Sequence, residues 1–381
     1  MKHMKIAIIC TNLFNIDDKN KTGSGIFNHI LINSLAKLKG DDCDITVFAS
    51  GESASLPAKV ESIDCRPTSD DQKIIKSGKH IMFELALISK AFAEQDEFDA
   101  YHVNIGDGDL TLPFAAFVKK PILITLHNIL NEDFTRKYFS LFKDKKNVFF
   151  VSASDYQRKI LPDINYLETI YHGIDTDKFS FNPEGGGNIM WAGRFISGKG
   201  PDIAINVAQR LEREIKLFGI IKSGYEDWFE QNVRRAAEDG AGKPAIKLHI
   251  DYERSRLIEY FQTSKLLLLP SAFEEAFGLV FAEAMSCGTP VVTFARGSAP
   301  EVIEDGVTGF LVNPSNDDIR GNWIIKKTGF DGLCEAAERI YSLSPEEYKT
   351  MRLASRKRAE KYFSADKMAE KYLAAYKKIT G

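Results

Sequence analysis

Short apolar runs recur along the chain, and the intervals between them are filled by longer stretches with helical periodicity. In the first half the runs are Lys5–Cys10, Ile45–Phe48, Ala100–Val103, Ile122–Thr125, Val148–Val151 and Thr169–Tyr171. Amphipathic segments such as Gly25–Leu38 and Met82–Glu94 lie between them. Strands alternating with helices of this length predict βαβ units and a parallel sheet. The pattern then restarts, with strands expected at Asn188–Ala192, Lys216–Ile220, Lys247–His249, Lys265–Leu269, Val291–Thr293 and Gly309–Val312. Two successive open α/β sheets are the simplest reading.

The seam is expected within Gly173–Gly187, where Pro183 and the run Gly185-Gly186-Gly187 read as a flexible connection. A last charged helix, Ala365–Lys378, carries Met368, Tyr372 and Tyr376 at four-residue spacing, so one of its stripes is buried. The length of 381 residues suits two domains. A net charge of −3 argues against nucleic acid as a partner, because a polyanion is usually met by a clearly basic face. The five cysteines (Cys10, Cys43, Cys65, Cys287, Cys334) are scattered and odd in number, and read as free thiols in a reducing compartment. The run Met1–Cys10 is too short for a signal peptide, and no stretch reaches the roughly 18 apolar residues of a membrane span. A cytoplasmic protein is expected, with peripheral contact at the inner membrane surface left open.

The chemistry concentrates in Pro270–Gly309. A buried strand ends at Pro270, a polar turn holds Glu274 and Glu275, and a helix runs from about Gly278 to Cys287. Open α/β sheets bind ligands at the carboxyl ends of their strands, which is where this turn falls. Gly278 at the helix start would let a phosphate approach the unpaired N–H groups. Glu283 is the only charged residue between Ala276 and Gly288. A carboxylate on so apolar a helix needs strong hydrogen bonds, which a ribose diol would supply; the plainer alternative is an exposed helix edge.

The block Glu275-Ala-Phe-Gly-Leu-Val-Phe-Ala-Glu283, with its Ala-Met-x-x-Gly-x-Pro-Val-Val continuation, resembles the E-x7-E motif of the family-4 retaining glycosyltransferases. That resemblance implies that Glu275 contacts the donor sugar and Glu283 the nucleotide ribose, with Phe277, Gly278 and Leu279 lining the donor site. Trp191-Ala-Gly-Arg-Phe-Ile-Ser-Gly-Lys-Gly200 is similar to the family's G-R-x4-K-G loop, which implies that Arg194 and Lys199 hold the donor phosphates. A guanidinium fork and an ammonium on one loop suit a diphosphate. Gly198 stands where the family usually has an acidic residue, and predicts a more flexible loop. Thr22-Gly-Ser-Gly-Ile-Phe27 resembles the family's glycine-rich turn, placing Gly25 toward the donor, although Ser24 interrupts the usual glycine pair. His127, just past the strand Ile122–Thr125, inherits by resemblance a place facing the donor sugar; a lone histidine is more often structural. Thr169–Phe179 is similar to the interdomain N-G-[IV]-D segment, with His172 in place of Asn.

Two further signals are discounted. Asp107-Gly-Asp109 looks like a D-x-D metal motif but reads better as a loop-shaping pair. Phe134, Tyr138, Leu141 and Phe142 recur among Arg136, Lys137, Lys143, Lys145 and Lys146; a helix packed on its own sheet is favoured over one lying on a membrane.

The resemblance thus implies two facing Rossmann-like α/β domains (the GT-B fold). Residues 1–178 would form the acceptor side, completed by a helix at 364–381 that crosses back, and 179–363 the donor side. The implied activity is transfer of a sugar from a nucleoside diphosphate sugar to a hydroxyl of a glycan, a lipid-linked or a small-molecule acceptor. Retention at the anomeric carbon is implied, with no metal and no cofactor. The alternatives on the same scaffold are a nucleotide-sugar 2-epimerase and a phosphorylase-type enzyme.

Overall fold

The computed structural model describes residues 3–20, 22–40, 42–239 and 245–381; Met1 and Lys2, at the head of the first apolar run, lie outside them. The chain divides into two compact units, one of Met1–Gly173 with Ala365–Gly381 and the other of Ile174–Ser364.

The first unit is built on β1 (Met4–Ile9), β2 (Cys43–Phe48), β3 (Lys59–Glu61), β4 (Ala100–Val103), β5 (Ile122–Leu126), β6 (Val148–Ser152) and β7 (Tyr166–Thr169). Every pair is parallel, in the order β3-β2-β1-β4-β5-β6-β7. The inner strands are nearly continuous apolar runs because helices cover both faces. Alternate residues of β1 sort accordingly. Ile6 and Ile8 join the core under helices Gly23–Leu38 and Ala365–Thr380, whereas Ala7 and Ile9 join the core under helix His80–Ala93.

Met368, Tyr372 and Tyr376 are buried in the first of these cores. Tyr372 hydrogen-bonds Thr125 (2.9 Å), and His102 links Thr125 (2.8 Å) to Tyr376 (2.7 Å). The buried polar groups of β4 and β5 are therefore satisfied by a helix more than 240 residues further along the chain.

The second unit has β8 (Asn188–Phe195), β9 (Ile215–Ile221), β10 (Ile246–Ile250), β11 (Ser264–Leu269), β12 (Val291–Phe294) and β13 (Gly309–Val312), all parallel, in the order β10-β9-β8-β11-β12-β13. The expected strand at Thr169–Tyr171 is displaced to Tyr166–Thr169. This edge strand is only half-buried and carries Glu168, which pairs with Lys371 (3.2 Å), so it shows no apolar run. The run Gly185–Gly187 is not a free linker, since a Cβ at Gly186 would stand 1.8 Å from the Thr263 carbonyl oxygen. The basic segment after Glu132 also differs from expectation. Its helix is Asp133–Ser140; Phe139 is buried in the core and Tyr138 and Phe142 pack against it as expected, whereas Phe134 (74% exposed) and Leu141 (69%) face outward. All five cysteines are free, and among the described residues no helix is long and apolar enough to cross a membrane.

Candidate functional site

The strand β8 ends at Arg194 and Phe195, and the short 3-10 turn Ser197–Lys199 follows. Lys199 is fixed by its surroundings: the Trp191 indole N–H donates to its carbonyl (3.1 Å), and its ammonium lies 5.9 Å from the centre of the Phe273 ring. The ammonium forms an ion pair with Glu275 Oε1, to which Ser271 also donates (2.7 Å). Both partners of that pair are largely buried, whereas Arg194 is exposed and pairs with no carboxylate among the described residues.

Gly198 does not loosen this turn. Its carbonyl accepts from Ala272 N–H (2.8 Å), and a Cβ there would lie 2.2 Å from the Phe273 ring. A side chain at this position would have to displace the Phe273 ring, which is 44% exposed.

The adjacent carboxylates of the turn have separate fates. Glu274 is held by Arg296 (3.0 Å), Arg320 (2.9 Å) and the Gly297 N–H (2.6 Å). Glu275 is thereby left as the one that meets Lys199. Ser298 closes the turn from behind, donating its N–H to the Glu275 carbonyl (2.9 Å) and its hydroxyl to the Phe277 carbonyl (2.8 Å). Phe277 is buried against Phe363, with ring centres 5.4 Å apart. Gly278 has φ +79° and caps helix Leu279–Ser286 without a side chain. That left-handed conformation favours glycine, and the first N–H groups of the helix carry its positive end.

Glu283 is buried at 4% exposure, which removes the exposed-edge alternative. Its partner is one the sequence reading missed, Arg254, whose Nη2 donates to Glu283 Oε1.

Gly25 and His127 lie in the first unit. Gly25 belongs to helix Gly23–Leu38, whose N-cap Thr22 hydroxyl accepts from the Gly25 N–H (3.2 Å). A Cβ at Gly25 would stand 2.1 Å from the Asn20 amide oxygen, so its small size serves a local contact. His127 follows β5 and packs against Phe27 (4.8 Å) and His172 (5.3 Å). Burial pushes its imidazole down to about 4 against the opposing pull of Asp107, so it is neutral at pH 7. Its Nε2 has no hydrogen-bond partner among the described residues. Asp107 shapes the loop: it accepts from the N–H groups of His127 (2.7 Å) and Asn128 (2.9 Å) and from the Asn128 amide (2.9 Å). Among the described residues no group of three His, Cys, Asp or Glu side chains is placed to hold a metal ion.

The fold class follows from comparison with solved structures. Over 98% of this chain and 100% of the other, the structure matches that of HepE from Anabaena in complex with UDP and glucose, with TM-score 0.72 and 18% identity. It matches sucrose-phosphate synthase from Thermosynechococcus elongatus over 99% of each chain, with TM-score 0.77 and 16% identity. The architecture is therefore the GT-B fold of glycosyltransferases. Residues 174–326, which hold β8 to β13 and the Lys199–Glu275 pair, match the model of the family described as glycosyl transferases group 1. D-inositol 3-phosphate glycosyltransferase of Mycobacterium leprae is 28% identical over 255 residues, 62% of this chain and 56% of that protein. Its namesake in Xylanimonas cellulosilytica is 28% identical over 178 residues, 42% of each. The chain thus spans about half the length of the curated relatives it matches.

Proposed function

We propose that the protein is a retaining glycosyltransferase that moves a sugar from a nucleoside diphosphate sugar to a hydroxyl acceptor without a divalent metal. The observation that carries this reading is the pairing of Lys199 with Glu275 across the carboxyl ends of β8 and β11, in the same unit as the exposed Arg194 and the N-terminus of helix Leu279–Ser286. Two cations and a helix N-terminus suit a diphosphate. As the glycosidic bond lengthens, negative charge grows on the departing diphosphate, and these groups stabilise it. Lys199 would then share its ammonium between Glu275 and a phosphate oxygen, while the other oxygen of Glu275 accepts from the sugar hydroxyls. The HepE structures with UDP and with UDP-glucose support the donor class.

Retention is assigned to front-face attack. Glu274 is held by two arginines and a backbone N–H, and Glu275, with Lys199 and Ser271 on Oε1, is given the sugar hydroxyls on its other oxygen, so neither carboxylate is assigned the role of nucleophile. The acceptor hydroxyl attacks on the face the diphosphate leaves and passes its proton to a departing phosphate oxygen. Outward-facing Phe134 and Leu141 among lysines support peripheral contact with an anionic membrane, where a lipid-linked acceptor would be met. The direct test is incubation with UDP-, ADP- and GDP-sugars and simple hydroxyl acceptors in excess EDTA, reading the product's anomeric configuration by NMR. An inverted product, or conversion of the sugar with no acceptor consumed, would overturn the reading.

A further inference from the structure

Glu283, the carboxylate expected to meet the ribose, is half of an ion pair with Arg254. Arg254 opens the 3-10 turn Arg254–Arg256 after β10, and its guanidinium lies 5.3 Å from the centre of the Phe179 ring. A guanidinium at this distance is attracted by the face of an aromatic ring, which helps hold it in place. The Arg254 side chain keeps 20% of its surface exposed, whereas Glu283 keeps 6%. Only Oε1 of Glu283 is engaged, leaving Oε2 as an acceptor without a partner among the described residues. A guanidinium has five N–H donors, and Arg254 spends one on Glu283.

A vicinal diol has two hydroxyls, each a donor and an acceptor. A lone carboxylate can only accept, so it leaves the lone pairs of the diol unmatched. A carboxylate held against a guanidinium supplies both halves of the match. We propose that Arg254 is a nucleotide-specificity residue, forming with Glu283 a donor–acceptor fork for the 2′,3′-diol of the donor ribose. One hydroxyl donates to Glu283 Oε2, and the neighbouring oxygen accepts from an Arg254 N–H. Arg254 also supplies the countercharge that Glu283 requires on an apolar helix. A pair kept for stability alone is a weak device, since well-packed apolar residues usually serve as well. This inference rests on the nucleotide-sugar reading above.

The test compares UDP with 2′-deoxy-UDP by titration calorimetry on the full chain, with ADP and GDP and their 2′-deoxy forms in parallel. Wild type should prefer the ribonucleotide by at least tenfold. Arg254→Met should lose most of its affinity for UDP and little for 2′-deoxy-UDP, so that the preference falls below threefold. Arg254→Lys keeps a charge but not the fork and should fall between. A role confined to folding would weaken both ligands alike and leave the ratio intact, and that result overturns the inference while sparing the donor reading. If Arg254→Met does not fold, Arg254→Lys decides, and a wild-type ratio in it is equally fatal. Failure of wild type to bind any of the three ribonucleotides would remove the donor reading and the inference with it.

Discussion

Lys199→Met is the sharpest perturbation of the proposed machinery, because it touches the phosphate cation and the environment of Glu275 together. Removing one partner of a buried ion pair costs about 3–5 kcal/mol, since the other charge stays behind uncompensated. Here the side chains keep 15% and 13% of their surface, and Ser271 still donates to Glu275 Oε1, so a loss of about 2 kcal/mol is expected. For a unit of this size that corresponds to a fall of about 4–8 °C in Tm. Activity should fall much further. Loss of one preorganised donor to a developing charge typically costs a factor of about 10²–10³, so kcat/KM should drop by that amount while the nucleotide Kd changes less. Initial rates with the best donor of the panel, and a melting curve on the same sample, separate the two effects. Lys199→Met combined with Glu275→Gln should recover most of the lost stability, because no uncompensated charge remains, and none of the activity. Turnover in Lys199→Met within threefold of wild type would show that Lys199 serves only to pin the turn around Glu275.

Glu283→Gln should weaken nucleotide binding by roughly 1.5–3 kcal/mol, the usual worth of a hydrogen bond to a charged group, and calorimetry with UDP checks it. Activity should survive excess EDTA, and complete loss restored by manganese and abolished by Asp109→Ala would refute metal independence. Gly198→Asp should lower the Tm of the second unit, because its Cβ would overlap the Phe273 ring, and pairing it with Phe273→Ala should relieve part of the loss. The first unit should lose stability as the pH falls from about 6.5 toward 4. Burial holds His102 at about 3 and His127 at about 4, so across that window the unfolded chain binds protons that the folded unit does not. Melting curves at stepped pH read this, and a flat Tm between pH 7 and 4.5 would contradict it.

Much of the fold was legible in the sequence, and the exceptions share a cause. The strands β4 and β13 match their expected bounds because each is a short, mainly apolar run that is buried throughout. The edge strands β3 and β7 were missed or displaced because Lys59, Glu61 and Glu168 interrupt any such run. In the site, Glu275 and Lys199 could be named because spacing along one segment carries the signal. Arg254 could not: it lies 29 residues before Glu283, in a loop where Arg256 looks equivalent. Only three-dimensional packing separates them, since Arg256 and its neighbour Glu253 are both 75% exposed with 3.7 Å between their charged atoms. The ring that a side chain at position 198 would meet, Phe273, is likewise distant in sequence and lies against the turn only in the folded unit. His127 was named as a site residue, but the Asp107 carboxylate that fixes its backbone was read only as part of a loop.

The tyrosines of helix Ala365–Thr380 impose an order on synthesis. Until they emerge from the ribosome, one core of the first unit is covered by helix Gly23–Leu38 but not by the last helix, and His102 lacks its bond to Tyr376. Ile174–Ser364 must be translated in the interval, which at about 5–20 residues per second takes on the order of 10–40 s. The second unit is contiguous and can close as it is made; the first must wait with apolar β-strands partly uncovered. Nascent chains stalled before Ala365 should therefore be the species that chaperones hold and proteases cut.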